Sequence, residues 1–321
     1  MRSRPTLRFR TDGTFTIVQF TDTHWNNGEP ADERTRALME QVLEAEQPDL
    51  VLHTGDVIEG RGARDPAQAW RAAVAPLEAR GIPWAAVFGN HDDEGAFDRS
   101  QLMAVQLSCA SCLTAPGPSD LSGLGNYLLR VRPATGDASV LALYCLDSNS
   151  YAETDVGGYG WIRRDQIAWF LGTARALREQ SREPVAALAF FHIPLPEYDE
   201  VWNFSTCYGH KYEPVCCPRI NTGFFAALHQ AGNVMGAFVG HDHINDFEGT
   251  LHGIRLCYGR ATGYQTYGRE GFGRGARIIR CREGEGTFRT WLRLEDGAVR
   301  GDPPRHEPEH RRQESAGPTT S

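Results

Sequence analysis

No apolar run in the 321 residues approaches the roughly 20 consecutive residues that a bilayer-spanning helix needs, which argues against a transmembrane protein. The first stretch, Met1 to Phe20, lacks the basic, apolar and small-residue succession of a secretory signal, so the cytoplasm is the expected compartment. Eight cysteines are too few in a chain of this length to form a disulfide scaffold, and reduced thiols are expected. Positive charge is short as well. The net charge of -8 argues against general affinity for a nucleic-acid backbone, which rests on Lys and Arg neutralising phosphates. A small phosphorylated substrate stays open, because bound divalent cations invert the field locally.

What is present is the composition of a soluble globular protein, 40% apolar and 23% charged. Nothing in the middle of the chain reads as a linker and there is no internal repeat, so one catalytic domain is expected over 1–295. From about Glu295 the residues turn to Pro, Gly, Glu, Arg and Ser, and 296–321 is expected to be a disordered tail whose His306 and His310 have no role.

The first two thirds alternate short apolar runs with helix-like stretches, the pattern of an α/β sheet with covering helices. Asp32 to Glu46 has helical spacing and Pro48 stops it. Asp65-Pro66 starts a second helix and Gly81 ends it, with Pro76 predicting a kink or an early end. Gln166 to Glu179 forms a third, with Asp165 as its cap. The last third is rich in strand signals, at Val234 to Val239, Ile254 to Tyr258, Ala276 to Cys281 and Phe288 to Leu294.

The predicted strands end in polar clusters. Phe15 to Phe20 runs into Asp22 and His24, Leu50 to Leu52 into Gly55-Asp56, and Trp84 to Phe88 into Gly89-Asn90-His91-Asp92. His192 follows Phe190-Phe191, and Gly240-His241-Asp242-His243 follows Val234 to Val239. One Asp-x-His pair alone is more often a capped polar loop than a ligand pair. Five such clusters in order are hard to explain by packing. Carboxylate, amide oxygen and imidazole donors without thiolate suit two divalent ions of the Mn, Fe, Zn or Mg kind. One carboxylate can bridge two cations about 3.5 to 4 Å apart, and Asp56 is the candidate bridge. Such a pair activates a bridging water for in-line attack on phosphorus and offsets charge on the phosphoryl oxygens. His91 is then the natural general acid for the leaving alcohol, with Asp92 or Asp93 fixing its tautomer.

As an ordered set these motifs resemble the signature of the calcineurin-like metallophosphoesterase superfamily over roughly residues 14 to 294. Longer stretches, Pro83 to Asp92, Tyr159-Gly160-Trp161-Ile162, Phe191 to Tyr198, Asn221 to Phe225 and Gly240 to Phe247, resemble its purple-acid-phosphatase-like branch of plants and fungi. The resemblance implies a four-layer α/β/β/α sandwich with two mixed sheets and a dinuclear metal site at the strand ends. It implies one metal on Asp22, His24, Asp56 and His243 and a second on Asp56, Asn90, His192 and His241. It also implies a phosphatase acting on a monoester, with a phosphodiesterase on a cyclic nucleotide or lipid head group as the alternative and a non-catalytic metal-binding scaffold as the second. True purple acid phosphatases have a Tyr three residues after the bridging Asp. Here that position is Glu59, so the tyrosinate-to-iron colour is not expected.

Weaker signals complete the reading. His53 reads as a buried histidine satisfied by backbone, and Cys109-x-x-Cys112 lacks the context of a redox motif. The long polar segment around Cys207, Cys216 and Cys217 offers His210 and Lys211 as substrate contacts, and Arg260, in the turn that leads to Tyr267, as a phosphate contact. Those cysteines could instead bind a third metal or form a local disulfide.

Overall fold

Successive side chains of one strand go to different cores. Leu141, Leu143 and Cys145 join a cluster with Phe15, Ile17, Leu50, Leu52, Leu188, Phe190 and Phe238, whereas Ala142, Tyr144 and Leu146 join another with Phe170, Leu177 and Phe224. Val51, Val18 and Phe20 face a third cluster with Leu38, Val42, Trp70 and Leu77. A strand whose two faces are both buried needs a layer on each side.

The computed structural model describes residues 5–181 and 185–308. The elements are β1 (Thr14–Phe20), α1 (Pro30–Glu46), β2 (Leu50–Thr54), α2 (Pro66–Arg80), β3 (Trp84–Val87), α3 (Arg99–Leu107), β4 (Tyr127–Val131), β5 (Leu141–Cys145), α4 (Arg164–Gln180) and β6 (Ala186–Phe190). There follow α5 (Glu197–Phe204), β7 (Cys207–Tyr208), α6 (Phe224–Ala231), β8 (Val234–Val239), β9 (Glu248–Leu251), β10 (Ile254–Tyr258), β11 (Gly275–Arg282), β12 (Phe288–Leu294), β13 (Val299–Arg300) and β14 (Arg305–His306). One sheet has the order β13-β12-β11-β1-β2-β3 and the other β14-β7-β9-β10-β8-β6-β5-β4. Both are mixed. The cluster holding Phe15 and Phe190 lies between the sheets, and helices cover each outer face, giving the α/β/β/α sandwich. β1, β2 and β3 run parallel, as do β5, β6, β8 and β10, so their carboxyl ends deliver the polar motifs to shared edges of the two sheets.

Four local expectations change. Pro76 does not end α2: it lies buried within the helix, and the packing of Trp70, Val74 and Leu77 carries the helix through to Arg80. Asp165 is not the cap of α4; that position is Arg163, and Asp165 accepts from Ser122 N at 2.7 Å and Ser122 Oγ at 2.8 Å. The expected disordered tail is ordered as far as 308. Val299 and Arg300 pair with β12, and Arg305 and His306 pair with β7. His306, given no role, stacks on Trp202 with ring centroids 3.8 Å apart and reaches Trp202 O at 2.9 Å, so an apolar ring and two strand edges hold a segment whose composition carries no core signal. The rest of the expected tail, with His310, lies outside the described residues. Finally, the His53 ring lacks the expected backbone partner: both ring nitrogens are buried without a hydrogen bond, and burial pulls its pKa down to about 3, which keeps it neutral against Phe20.

Candidate metal centre

Each motif turns sharply out of its strand. Asp22, His24, Asp56 and His241 all have positive φ, between 43° and 78°, a region that costs a non-glycine residue about 1–3 kcal/mol. Such strain is retained where the surrounding structure over-determines it. Glycines beside these residues make room: a Cβ on Gly89 would sit on Asp56 Oδ1, one on Gly240 on Thr21 Oγ1, and one on Gly55 on the His192 ring.

The result is two donor groups sharing one residue. Asp22, His24, Asp56 and His243 offer atoms within 4.8 Å of one another, and so do Asp56, His192 and His241. Asp56 Oδ2 lies 3.1 Å from His192 Nε2 and 3.6 Å from His24 Nε2. His24 Nε2 faces His243 Nε2 at 3.3 Å, His241 Nδ1 faces His192 Nε2 at 3.3 Å, and Asn90 Oδ1 lies 3.2 Å from His192 Nε2. All seven side chains are buried.

In three of the four histidines the other ring nitrogen is tied down from behind. His24 Nδ1 meets Glu59 Oε2 at 3.0 Å, His192 Nδ1 meets Thr54 O at 2.7 Å, and His243 Nδ1 meets Thr266 Oγ1 at 2.8 Å. With Nδ1–H donating outward, each Nε2 presents a lone pair inward, the arrangement of metal-binding imidazoles. Glu59, which replaces the tyrosine of true purple acid phosphatases, thus holds His24 from behind. Asp56 Oδ2 and His241 Nε2 are buried without a hydrogen bond, an arrangement that costs free energy unless something else satisfies them. Converging imidazole lone pairs, buried carboxylates and an orphaned carboxylate oxygen between the two groups fit a pair of divalent cations.

His91 stands beside this cluster. Its backbone N–H donates to Asp56 Oδ1 at 2.8 Å, its side chain is 34% exposed, and its ring lies 5.2 Å from that of His24. The residue fixing its tautomer is neither Asp92 nor Asp93. His91 Nδ1 meets Glu94 Oε2 at 2.9 Å. Asp92 is buried beneath the loop, accepting from Gly89 N at 2.8 Å and Ile58 N at 3.0 Å, and burial followed by the charge of Asp56 pushes its pKa up to about 7. Asp93 instead pairs with Arg99 at 3.1 Å.

The family profile of calcineurin-like phosphoesterases matches residues 15–245. The chain belongs to the calcineurin-like phosphoesterase family. This phosphoesterase is similar to the Arabidopsis thaliana protein named "Probable inactive purple acid phosphatase 29", at 37% identity over 91% of this chain and 85% of that one. It is 35% identical to "Phosphatase DCR2" of Saccharomyces cerevisiae over 88% of this chain and 54% of that protein. In fold it is similar to a dimetal phosphatase from Danio rerio, with a TM-score of 0.55 and 16% identity over 86% of this chain and 98% of that one. It is equally similar in fold to "GAP50 the anchor in the inner membrane complex of Plasmodium", with a TM-score of 0.55 and 12% identity over 95% of both chains.

The substrate contacts expected for the phosphoesterase are engaged elsewhere. The Arg260 guanidinium is buried against Asp246 and Gly273 O and lies 3.1 Å over the Phe272 ring. His210 Nδ1 reaches the same Asp246 at 3.3 Å, and Lys211 Nζ lies 3.5 Å from Asp199. Cys207, Cys216 and Cys217 form no local disulfide. Aromatic residues flank the donor cluster. Tyr267 stacks on His243 at 4.2 Å. Tyr159 packs edge-on against His241 at 4.3 Å, and Tyr151 donates to Glu94. For Glu94 there was a local signal, its i+3 spacing from His91; for Tyr151, 57 residues away, there was none.

Proposed function

We propose that this phosphoesterase is an active dinuclear metal-dependent phosphohydrolase that cleaves a phosphate monoester. The observation that carries the reading is that two buried donor groups, Asp22, His24, Asp56 and His243 on one side and Asp56, His192 and His241 on the other, share Asp56, with His91 beside them. A scaffold retaining the fold for surface binding has no need to keep the strained φ values of Asp22, His24, Asp56 and His241.

Asp22, His24, Asp56 and His243 would hold one divalent ion, and Asp56, Asn90, His192 and His241 the other. When bound, the ions supply an activated water and offset negative charge on the phosphoryl group. The protein positions and excludes: burial of the donor side chains keeps bulk water out of the cluster, and Glu59, Thr54 and Thr266 hold imidazoles in the ligating tautomer. His91 Nε2, the ring nitrogen left by the bond to Glu94, gives a proton to the leaving oxygen.

The yeast relative named "Phosphatase DCR2" supports a phosphatase, whereas the name of the Arabidopsis relative, "Probable inactive purple acid phosphatase 29", weighs toward a non-catalytic protein. A diester is the second reading, favoured by one observation. Lys211 and Arg260, the cations that would have taken up the extra charge of a monoester, are paired with Asp199 and Asp246. Hydrolysis of p-nitrophenyl phosphate against bis-p-nitrophenyl phosphate, with Mn²⁺ and an Asp56→Asn control, decides between them. No activity on either ester, with two metals bound, would move the reading to a scaffold.

A further inference from the structure

Between β5 and α4 the chain passes over the metal cluster, bringing Tyr151 to its rim. Tyr151 is 49% exposed, yet its hydroxyl sits at a junction: it donates to Glu94 Oε1 at 2.6 Å and accepts from Asn90 Nδ2 at 3.1 Å. The second oxygen of Glu94 meets His91 Nδ1 at 2.9 Å, and Arg61 lies 3.4 Å from Glu94 Oε1. A single phenol therefore touches an amide in the metal cluster and the carboxylate behind the proton donor.

We propose that Glu94 and Tyr151 are positioning residues for hydrolysis, a claim that rests on the phosphohydrolase reading above. The imidazole of His91 is on the exposed side of the cluster, where, among the described residues, the bond between Nδ1 and Glu94 sets which way the ring faces. A half-exposed ring free to flip would present Nε2 to a leaving group only part of the time. The carboxylate of Glu94 removes that freedom, leaving Nε2 as the nitrogen available to substrate. Glu94 is itself a flexible side chain, and the Tyr151 hydroxyl orders it. By accepting from Asn90 Nδ2, the same hydroxyl also fixes the Asn90 amide so that Oδ1 faces the cluster. Glu59, His91 and Glu94 also offer donors within 4.8 Å, the spacing of a further cation site. However, Glu59 is bound to His24, and Glu94 to Tyr151 and Arg61, so both carboxylates already have partners.

The test compares the metal-loaded wild type with Glu94→Gln, Tyr151→Phe and the double variant, on an aliphatic phosphate monoester and on p-nitrophenyl phosphate. Glu94→Gln should lower kcat on the aliphatic ester about 10- to 100-fold, with a smaller loss on p-nitrophenyl phosphate, whose leaving group needs no proton, and little change in KM. Tyr151→Phe should move the same way, and because the part of its effect that runs through Glu94 is already lost in Glu94→Gln, the losses in the double variant should be less than additive. Two metals per chain should remain in every variant. In the zinc-loaded protein, the ¹⁵N resonance of His91 Nδ1 should shift in Glu94→Gln. Equal losses on both esters, additive losses in the double variant, an unmoved Nδ1 resonance, or a third wild-type metal lost in Glu94→Gln would each overturn the proposal. A wild type inactive on both esters sinks the hydrolase reading itself; an active wild type whose variants do not discriminate sinks this inference alone.

Discussion

Asp56 Oδ2 lies 3.1 Å from His192 Nε2, buried and without a hydrogen bond, at the point where the two donor groups meet. Asp56→Asn replaces half of this bridge with an amide that donates where a cation must be bound. Metal content measured on the purified variant should fall below two per chain and turnover should fall with it. Two fully retained ions would remove Asp56 from the bridging position.

The same convergence predicts how removing metal affects stability. Four buried imidazoles face one another and two carboxylates lie between them, so cations that bind only the folded chain add free energy by mass action, about 2.7 kcal/mol at a hundredfold excess over Kd. Chelation should lower the Tm and Mn²⁺ should restore it, in a concentration-dependent way. A Tm indifferent to both would contradict the site.

Arg260 and Asp246 form a buried pair. Arg260→Ala leaves Asp246 with His210 as its remaining ion-pair partner, and breaking such a pair costs about 3–5 kcal/mol. The denaturation midpoint should drop while the KM of the stable fraction holds. A raised KM at unchanged stability would return Arg260 to the phosphate.

Asp246 also has a pH signature. Burial pushes its carboxyl up, but the His210 hydrogen bond and the Arg260 guanidinium outweigh burial and hold it below the usual value. A depressed folded pKa contributes stability above the unfolded value, about 3.9, that is lost as pH falls through the folded value. Below about pH 4 the wild type should therefore lose stability more steeply than Asp246→Asn, although the variant is less stable at pH 7. Parallel curves in urea titrations from pH 7 to 3 would refute this.

The ligand motifs were legible because each is local: a strand runs out and one or two donors follow within a few residues, with a glycine giving room in Gly55-Asp56, Gly89-Asn90 and Gly240-His241-Asp242-His243. The sandwich followed from the resemblance those motifs carry, since alternating apolar runs alone do not distinguish one covered sheet from two. Partners chosen by tertiary contact were not legible. Asp92 is next to His91 in sequence, yet its carboxylate closes the turn on Gly89 N and Ile58 N, and the nitrogen it was expected to hold is taken by Glu94. Arg260 looked free until the fold brought Asp246 to it, and residues 299–306 have no apolar pattern to betray pairing with β12 and β7.

His91 itself gives the most direct prediction. Its ring is held by Glu94 and its backbone by Asp56, and among the described residues it lies outside the two donor groups that share Asp56. His91→Ala should therefore keep both metals. Without a proton donor, turnover on an ester of an aliphatic alcohol should fall about 10²- to 10⁴-fold, whereas p-nitrophenolate, a stable anion, leaves unaided and its ester should suffer less. The ratio of the two losses reads the role. A variant that loses metal, or loses both activities equally, would mean that His91 holds the site together and does not deliver the proton.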